Sequence, residues 1–178
     1  MSETPPRIIV VTGIQAAGKS TVARLFAQRF ERGVHIEADV LQEMIVSGGE
    51  RITEPGVIGE EAGRQLQLRL HNACLLAKSF LMAGFIPVID DIIIGDRFDQ
   101  LKSDLSGVPF ELFVLAPSPE VVAATRNPGR GKRVLGEKWP RYSDDALRET
   151  MAGEGIWVDS SDQTPEETVE EVLHHLKG

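Results

Sequence analysis

The stretch GIQAAGKS, residues 13–20, decides the fold of this chain. It follows an apolar, β-branched run at residues 8–12 and precedes a run at residues 22–30 whose apolar side chains recur at helical spacing. A G-x-x-x-x-G-K-[ST] loop between a strand and a helix is typical of phosphate binding, because its backbone N–H groups and the helix N-terminus point at phosphate oxygens. The sequence therefore predicts a site for a nucleoside triphosphate.

The residue types of this loop suit that ligand and a metal ion. Glycines let the backbone curl around the phosphates. Lys19 would reach the outer phosphates as a point charge, and the Ser20 hydroxyl would ligate Mg²⁺. A glycine-rich turn that binds nothing is the alternative, and the flanking strand and helix oppose it. The loop residues that we expect to contact the nucleotide are Gly13, Ala16, Ala17, Gly18, Lys19, Ser20 and Thr21.

Length and composition bound the class of protein. With 178 residues, 42% hydrophobic and 26% charged, the chain suits one well-cored domain, which we assign to residues 1–178. The net charge of −8 argues against nucleic acid or an anionic membrane as a general partner, because both attract an excess of Lys and Arg. We find neither a membrane span nor a secretory signal. Cys74 is the only cysteine, so no internal disulfide can form and we expect a reducing, cytoplasmic setting. We expect Cys74 itself to be a small core residue.

Strands and helices alternate along the rest of the chain. This order predicts a three-layer α/β fold of the P-loop, nucleoside-kinase-like type, with a parallel sheet and helices on both faces. Within the second predicted strand, His35 is expected to be a satisfied structural histidine. The predicted strands are residues 8–12, 34–38, 85–91, 110–115 and 156–159, and the predicted helices are residues 22–30, 39–45, 62–81, 96–105, a helix from 119, 143–151 and 165–176.

Carboxylates follow two of these strands, at the sheet edge that carries the phosphate loop. Asp39 closes the second strand, where it could accept the proton of an attacking hydroxyl or hold an acceptor in line with the γ-phosphate. The alternative is that Asp39 caps the next helix. Asp90 and Asp91 end the third predicted strand, and one of them should bind metal or substrate. The sequence does not decide which.

A basic segment follows the fourth strand. Arg126, Arg130 and Arg133 stand close together in an otherwise acidic chain, with glycines at 129 and 131. Such a segment fits a lid, at about residues 126–142, that closes over ATP, neutralises developing charge and excludes water. A solvated basic loop is the alternative. With the phosphate loop, the lid indicates a kinase.

Together these pieces resemble the chloramphenicol phosphotransferase-like family of small P-loop kinases. The likeness covers nearly the full length of the chain. Residues 47–67, where the acceptor is expected to bind, match least. It implies transfer of the γ-phosphate of ATP, with Mg²⁺, to a hydroxyl; Asp39 would be the general base, and Arg133 and its neighbours would contact the ATP phosphates. The loop after Val158, with Ser160, would pass near the adenine. The pieces that carry the likeness are residues 13–20, 38–41, 88–91 with Gly95, the segment from Arg126 through Arg133 to Gly136, and residues 158–161.

The sequence therefore predicts an ATP- and Mg²⁺-dependent O-kinase of a small hydroxylated molecule, an antibiotic or similar natural product. A nucleoside, a sugar or another metabolite alcohol is the alternative acceptor. A regulatory NTPase is a different class, and the chain has no Asn-Lys-x-Asp segment to read guanine. A nucleic-acid end kinase is opposed by the acidic charge. The oligomeric state, a homo-oligomer included, is left open.

Overall fold

Five parallel strands form one sheet, and helices follow the strands in alternation. The structure, a computed structural model, describes residues 6–126 and 138–177. The strand order is β2-β3-β1-β4-β5, with every neighbouring pair parallel, so the predicted α/β fold is confirmed. The strands are β1 (Ile8–Gly13), β2 (Gly33–Glu37), β3 (Ile86–Asp90), β4 (Phe110–Leu115) and β5 (Ile156–Val158), and the helices are α1 (Lys19–Ala27), α2 (Ala38–Glu43), α3 (Glu60–Met82), α4 (Asp96–Asp104), α5 (Pro119–Val121, continued by a π-turn at Val122–Arg126), α6 (Lys138–Thr150) and α7 (Pro165–Lys177).

The core lies on both faces of this sheet. Every residue of β1 is buried, and successive side chains of a strand point to opposite faces, so both faces are covered. Phe26 of α1 and Phe113 of β4 meet edge to face, with ring centroids 6.3 Å apart. Cys74 on α3 belongs to this core, and burial raises the pKa of its thiol to about 12. The thiol is thus protonated and inert at neutral pH, as the sequence predicts.

Local sequence signals fix several helix ends. The Ser118 hydroxyl accepts a hydrogen bond from the Val121 N–H and so caps α5. At α7, Thr164 Oγ1 accepts from the Glu167 N–H at 3.2 Å, while the Glu167 carboxylate accepts from the Thr164 N–H at 2.8 Å. This reciprocal pair is a capping box.

One predicted helix start is wrong. The sequence Ser143-Asp144 suggests a helix beginning at residue 143, whereas α6 begins at Lys138. Asp144 is buried inside this helix and accepts a hydrogen bond from Arg148 Nε at 2.8 Å, one turn later. A side chain that forms an i,i+4 ion pair resembles a cap in sequence, so the actual start was missed.

The topology brings the predicted functional segments to one edge. The phosphate loop follows β1, Asp39 follows β2, and the aspartate pair ends β3; these three strands are neighbours in the sheet. Because the carboxyl ends of parallel strands meet at the same edge, the three segments surround one cleft. Among the described helices, none is long and apolar enough to cross a membrane.

Candidate functional site

The phosphate loop adopts the curled backbone that its glycines predict. Gly18 has φ +94° and Ala16 has φ +60°, and α1 begins directly afterwards at Lys19. Gly13 lies under the loop, where a Cβ would come within 2.4 Å of the Leu115 carbonyl oxygen. A side chain at position 13 would therefore push β1 and β4 apart. Gly13 thus allows the two strands to pair closely beneath the phosphate loop.

The Lys19 side chain contacts the backbone of the phosphate loop itself. Its ammonium donates a hydrogen bond to the Ile14 carbonyl at 2.8 Å, so the side chain folds back over the loop where outer phosphates would bind. Residues Ala16 to Thr21 line one cleft, and Ser160, which is buried in the loop after β5, lines the same cleft. The structure thus brings Ala16, Ala17, Gly18, Lys19, Ser20, Thr21 and Ser160 together in one cleft, whereas Gly13 supports the loop from beneath.

The cleft has a volume of about 1300 Å³. Pockets for a single small ligand usually measure ~300–1,000 Å³, so this one has room for a nucleotide and a second molecule. Asp39, which follows β2, lines this cleft, and so do Ser160, Gln163 and Thr168, which follow β5. Because β1 lies between β2 and β5 in the sheet, the phosphate loop lies between these two groups.

Asp90 and Asp91 have different surroundings, although both are buried. Asp90 Oδ1 is 3.4 Å from the Ser20 hydroxyl, and Asp90 Oδ2 is 2.6 Å from His35 Nε2. Asp91 turns the other way, because successive side chains at a strand end point to opposite sides. Its two oxygens accept from Arg69 Nη2 at 2.5 Å and Arg97 Nη2 at 2.6 Å. Geometry therefore distinguishes the pair: Asp90 faces the phosphate loop and Asp91 anchors two arginines.

Asp39 is the second carboxylate that Arg69 contacts. Its Oδ1 is 3.4 Å from Arg69 Nη1, so Arg69 bridges Asp39 and the buried Asp91. The Asp39 carboxylate is half exposed and lines the cleft. The expectation that Asp39 ends the second strand is off by two residues, and the N-cap alternative is wrong, because Glu37 occupies the N-cap and Asp39 lies in the first turn of α2. The carboxylate is thus held by an arginine and presented to the cleft.

Oxygen ligands beside Ser20 suit Mg²⁺. The Ser20 hydroxyl lies 3.4 Å from Glu37 Oε1 as well as from Asp90 Oδ1, and hard oxygens are what this ion prefers. Within the described ranges, no group of three or more His, Cys, Asp and Glu residues could hold a metal by itself. Mg²⁺ usually keeps several waters and takes phosphate oxygens together with one or two carboxylates.

Sequence reasoning missed several residues of the site. Arg69 and Arg97 come from α3 and α4, and the sequence analysis placed both within predicted helices without giving either a role. Glu37 was taken only as a strand residue. A charged residue next to the apolar stripe of α3 is the one signal that pointed to Arg69, because an arginine that faces a core needs a partner.

Gln65 of α3 holds the loop between α2 and α3. Its side-chain oxygen accepts hydrogen bonds from the Gln42 amide at 3.1 Å and the Glu50 N–H at 2.8 Å, and its nitrogen donates to the Gly48 carbonyl at 2.8 Å. Gln65 and Gln42 are buried. Gln65 therefore holds the backbone of this loop at Gly48 and Glu50.

An apolar wall lines the same cleft as Asp39. Its side chains come from the loop after α2, from α3, from the segment after β3 and from α6. Tyr142 of α6 contacts the turn at Gly56 so closely that a Cβ there would lie 2.9 Å from the tyrosine hydroxyl. Helix α6 and the loop after α2 thus meet across the cleft. The wall consists of Ile52, Ile58, Leu66, Ile94, Trp139 and Tyr142.

The predicted arginine lid lies mostly outside the described residues. Arg130 and Arg133 are outside them, and for Arg126 only the backbone is described, at the end of the π-turn after α5. Of the predicted lid, the part from residue 138 onward belongs to α6, which contributes Trp139 and Tyr142 to the cleft.

Comparisons with known proteins find a matching family model and a similar kinase. The family model described as "Chloramphenicol phosphotransferase-like protein" matches residues 6–177. The chain is 25% identical to an adenylyl-sulfate kinase of Pseudomonas aeruginosa over 178 residues, which covers 97% of this chain and 86% of that protein.

Solved kinase structures share the fold. A gluconokinase from Sinorhizobium meliloti 1021 matches with a TM-score of 0.71 and 22% identity, over 97% of this chain and 92% of that one. A shikimate kinase from Bacteroides thetaiotaomicron matches with a TM-score of 0.68 and 17% identity, over 97% of this chain and 99% of that one. Identities this low show the fold alone.

Proposed function

The chain belongs to the chloramphenicol phosphotransferase-like family, and we propose that it is an ATP-dependent O-phosphotransferase acting on a small hydroxylated molecule, an antibiotic or related natural product. The observation that carries the proposal is the single cleft that contains the phosphate loop at one side and Asp39 with an apolar wall at the other. A kinase needs both halves, because it must hold a phosphate donor and a hydroxyl acceptor in line.

Phosphate binding is the first step that the chain's own residues perform. The loop N–H groups and the N-terminus of α1 hold the phosphates, and Lys19 leaves the Ile14 carbonyl for the phosphate oxygens. Mg²⁺, when bound, neutralises charge that develops on those oxygens. Ser20 and Asp90 are the residues that would hold it. By the family resemblance, Arg126, Arg130 and Arg133 would close over the same phosphates.

Proton transfer is the second step, and we assign it to Asp39. The acceptor's hydroxyl oxygen forms a bond to the γ-phosphorus, the bond to the β–γ bridging oxygen breaks, and ADP leaves with that electron pair. The hydroxyl proton passes to Asp39, whose carboxylate is oriented by Arg69. Arg69 in turn is fixed by the buried Asp91, so the base is held by a chain of ion pairs rather than by a mobile loop.

The apolar wall supports an amphipathic acceptor. Isoleucine, leucine and aromatic side chains that line the cleft with Asp39 would cover the carbon skeleton of a natural product, whereas a sugar offers mainly hydroxyl groups that need polar partners. A metabolite alcohol is the second candidate. It is favoured by the 25% identity, over nearly the whole chain, to an adenylyl-sulfate kinase.

An acceptor screen tests the proposal. Purified protein with Mg²⁺ and ATP is offered chloramphenicol-like antibiotics, aminoglycosides, nucleosides, sugars and adenylyl sulfate, and ADP release is followed. Mass spectrometry of each mixture should find one acceptor class that gains about 80 Da, one phosphoryl group. The Asp39→Asn protein is the matched control, because it removes the base while keeping the shape of the side chain.

The outcomes separate the alternatives. Phosphorylation of a chloramphenicol-like compound that depends on Asp39 supports the main proposal, and phosphorylation of a sugar or of adenylyl sulfate alone supports the metabolite alternative. ADP release at the same rate with every acceptor and with none contradicts both, and would make the protein an NTPase.

A further inference from the structure

His35 and Asp90 form a close pair across two neighbouring strands. In the parallel pairing of β2 and β3, His35 lies opposite Val88 and Glu37 lies opposite Asp90. His35 Nε2 is 2.6 Å from Asp90 Oδ2, and their side chains are only 16% and 5% exposed. An ionised carboxylate can only accept, so the histidine ring donates this hydrogen bond. One oxygen of Asp90 is therefore held by the His35 side chain of the neighbouring strand β2.

The second oxygen of Asp90 points elsewhere. Asp90 Oδ1 is 3.4 Å from the Ser20 hydroxyl, which is the loop residue that would ligate Mg²⁺. The carboxylate plane is thus fixed at one oxygen and presented to the phosphate loop with the other. Asp91 cannot replace it, because its oxygens are held by Arg69 and Arg97.

We propose that His35 is a positioning residue for the metal side of the nucleotide site. It fixes the rotation of the Asp90 carboxylate so that Oδ1 faces Ser20 before any ligand arrives. The inference rests on the proposed function and goes beyond it, because it gives a role to a strand residue that touches neither nucleotide nor acceptor. The sequence analysis expected a satisfied structural histidine at position 35, and the hydrogen bond to Asp90 agrees with that; the proposal adds a positioning role.

A hydrogen-bonded partner of a metal-binding carboxylate has a measurable effect. Outer partners of this kind orient the ligand, and their loss typically weakens metal binding about 10–100-fold. Without His35, the Asp90 carboxylate could turn about its last side-chain bond, whose rotation has only broad minima. A histidine that merely ties β2 to β3 would act differently, because its loss would lower stability and leave metal affinity unchanged.

The test is the Mg²⁺ dependence of ADP binding, which needs no acceptor. A fluorescent ADP analogue is bound to the full-length protein, and Mg²⁺ is titrated to find the concentration that gives half of the metal-induced tightening. Two substitutions are compared with the wild type. His35→Phe keeps a ring between the strands but removes the donor, and His35→Gln keeps an N–H donor at a similar reach.

In the Phe variant we expect the half-saturating Mg²⁺ concentration to rise about tenfold or more, with metal-free ADP affinity within about twofold of the wild type. The Gln variant should recover most of the loss. In an Asp90→Asn background, His35→Phe should have no further effect, because the oxygen that it orients is gone. The melting temperature of each variant is recorded beside its Mg²⁺ titration.

Three results would overturn the inference. The first is an unchanged Mg²⁺ dependence in His35→Phe, the second is a Gln variant as weak as the Phe variant, and the third is an equal loss of metal-free ADP binding. A wild-type protein that binds no ADP at all would instead contradict the proposed function. Failure of the inference and failure of the function are therefore distinguishable.

Discussion

Asp91→Asn should destabilise the protein and leave the metal dependence of ADP binding intact. The Asp91 side chain is 1% exposed and accepts from both Arg69 and Arg97, which are themselves mostly buried. Asparagine keeps the size of the side chain but removes the charge. The two guanidinium groups then remain close together without the anion that lies between them.

The magnitude follows from the burial. Removing one partner of a buried ion pair costs about 3–5 kcal/mol, because it leaves uncompensated charge away from water. For a chain of 178 residues, each kcal/mol lowers the melting temperature by about 2–4 °C, so a fall of roughly 10 °C is expected. An exposed pair provides the control: Glu120 and Arg141 are 67% and 73% exposed, and Glu120→Gln should cost under about 1 kcal/mol.

Chemical unfolding and ADP binding together measure the effect. Urea titration gives the free energy of unfolding for the wild type, Asp91→Asn and Glu120→Gln. The Mg²⁺ dependence of ADP binding is then compared between Asp91→Asn and Asp90→Asn. We expect Asp91→Asn to lose stability and keep that dependence, and Asp90→Asn to lose the dependence.

The reverse pattern would refute the reasoning. If Asp91→Asn unfolds like the wild type but binds ADP without any response to Mg²⁺, then Asp91 is the metal-site carboxylate. The division of roles between the two aspartates would then be wrong.

Four further predictions concern single residues. Lys19→Ala should abolish phosphoryl transfer while the melting temperature stays near that of the wild type, because Lys19 contacts the loop and not the core; retained transfer would remove the central claim. Asp39→Asn should keep ATP affinity but lose about 10²–10⁴-fold in transfer rate, and an equal loss of ATP binding would make Asp39 a structural residue. Cys74 should resist a thiol-modifying reagent in the native protein and react after unfolding, since burial raises its pKa to about 12; rapid native reaction would contradict the burial. Hydrogen bonds from Thr164 lower the pKa of Glu167 below its ordinary value, so its stabilising effect is present above the ordinary pKa and lost as pH falls through the lower, folded pKa; Glu167→Gln should reduce the difference in stability between pH 7 and strongly acidic pH, and an unchanged difference would exclude this contribution.

The local chemistry of the site was readable from the sequence. The phosphate loop, Asp39 and the aspartate pair were found because each combines residue types that phosphate chemistry needs with a position at a strand end. The α/β alternation was found from the spacing of apolar residues along the chain. Helix boundaries were less certain, as α6 shows, because an interior ion pair and a cap have the same residue types.

Only the tertiary structure decided which role each of those residues has. The sequence by itself determined the fold class and the kind of ligand, since both follow from short patterns along the chain. It could not separate Asp90 from Asp91, because the difference comes from Arg69, 22 residues away on α3, and from Arg97 on α4. It could not pair His35 with Asp90, 55 residues apart, because that contact depends on the register of β2 against β3. Charges and hydrogen bonds act through space over a few ångströms, so the role of a carboxylate is fixed by the neighbours that folding brings to it.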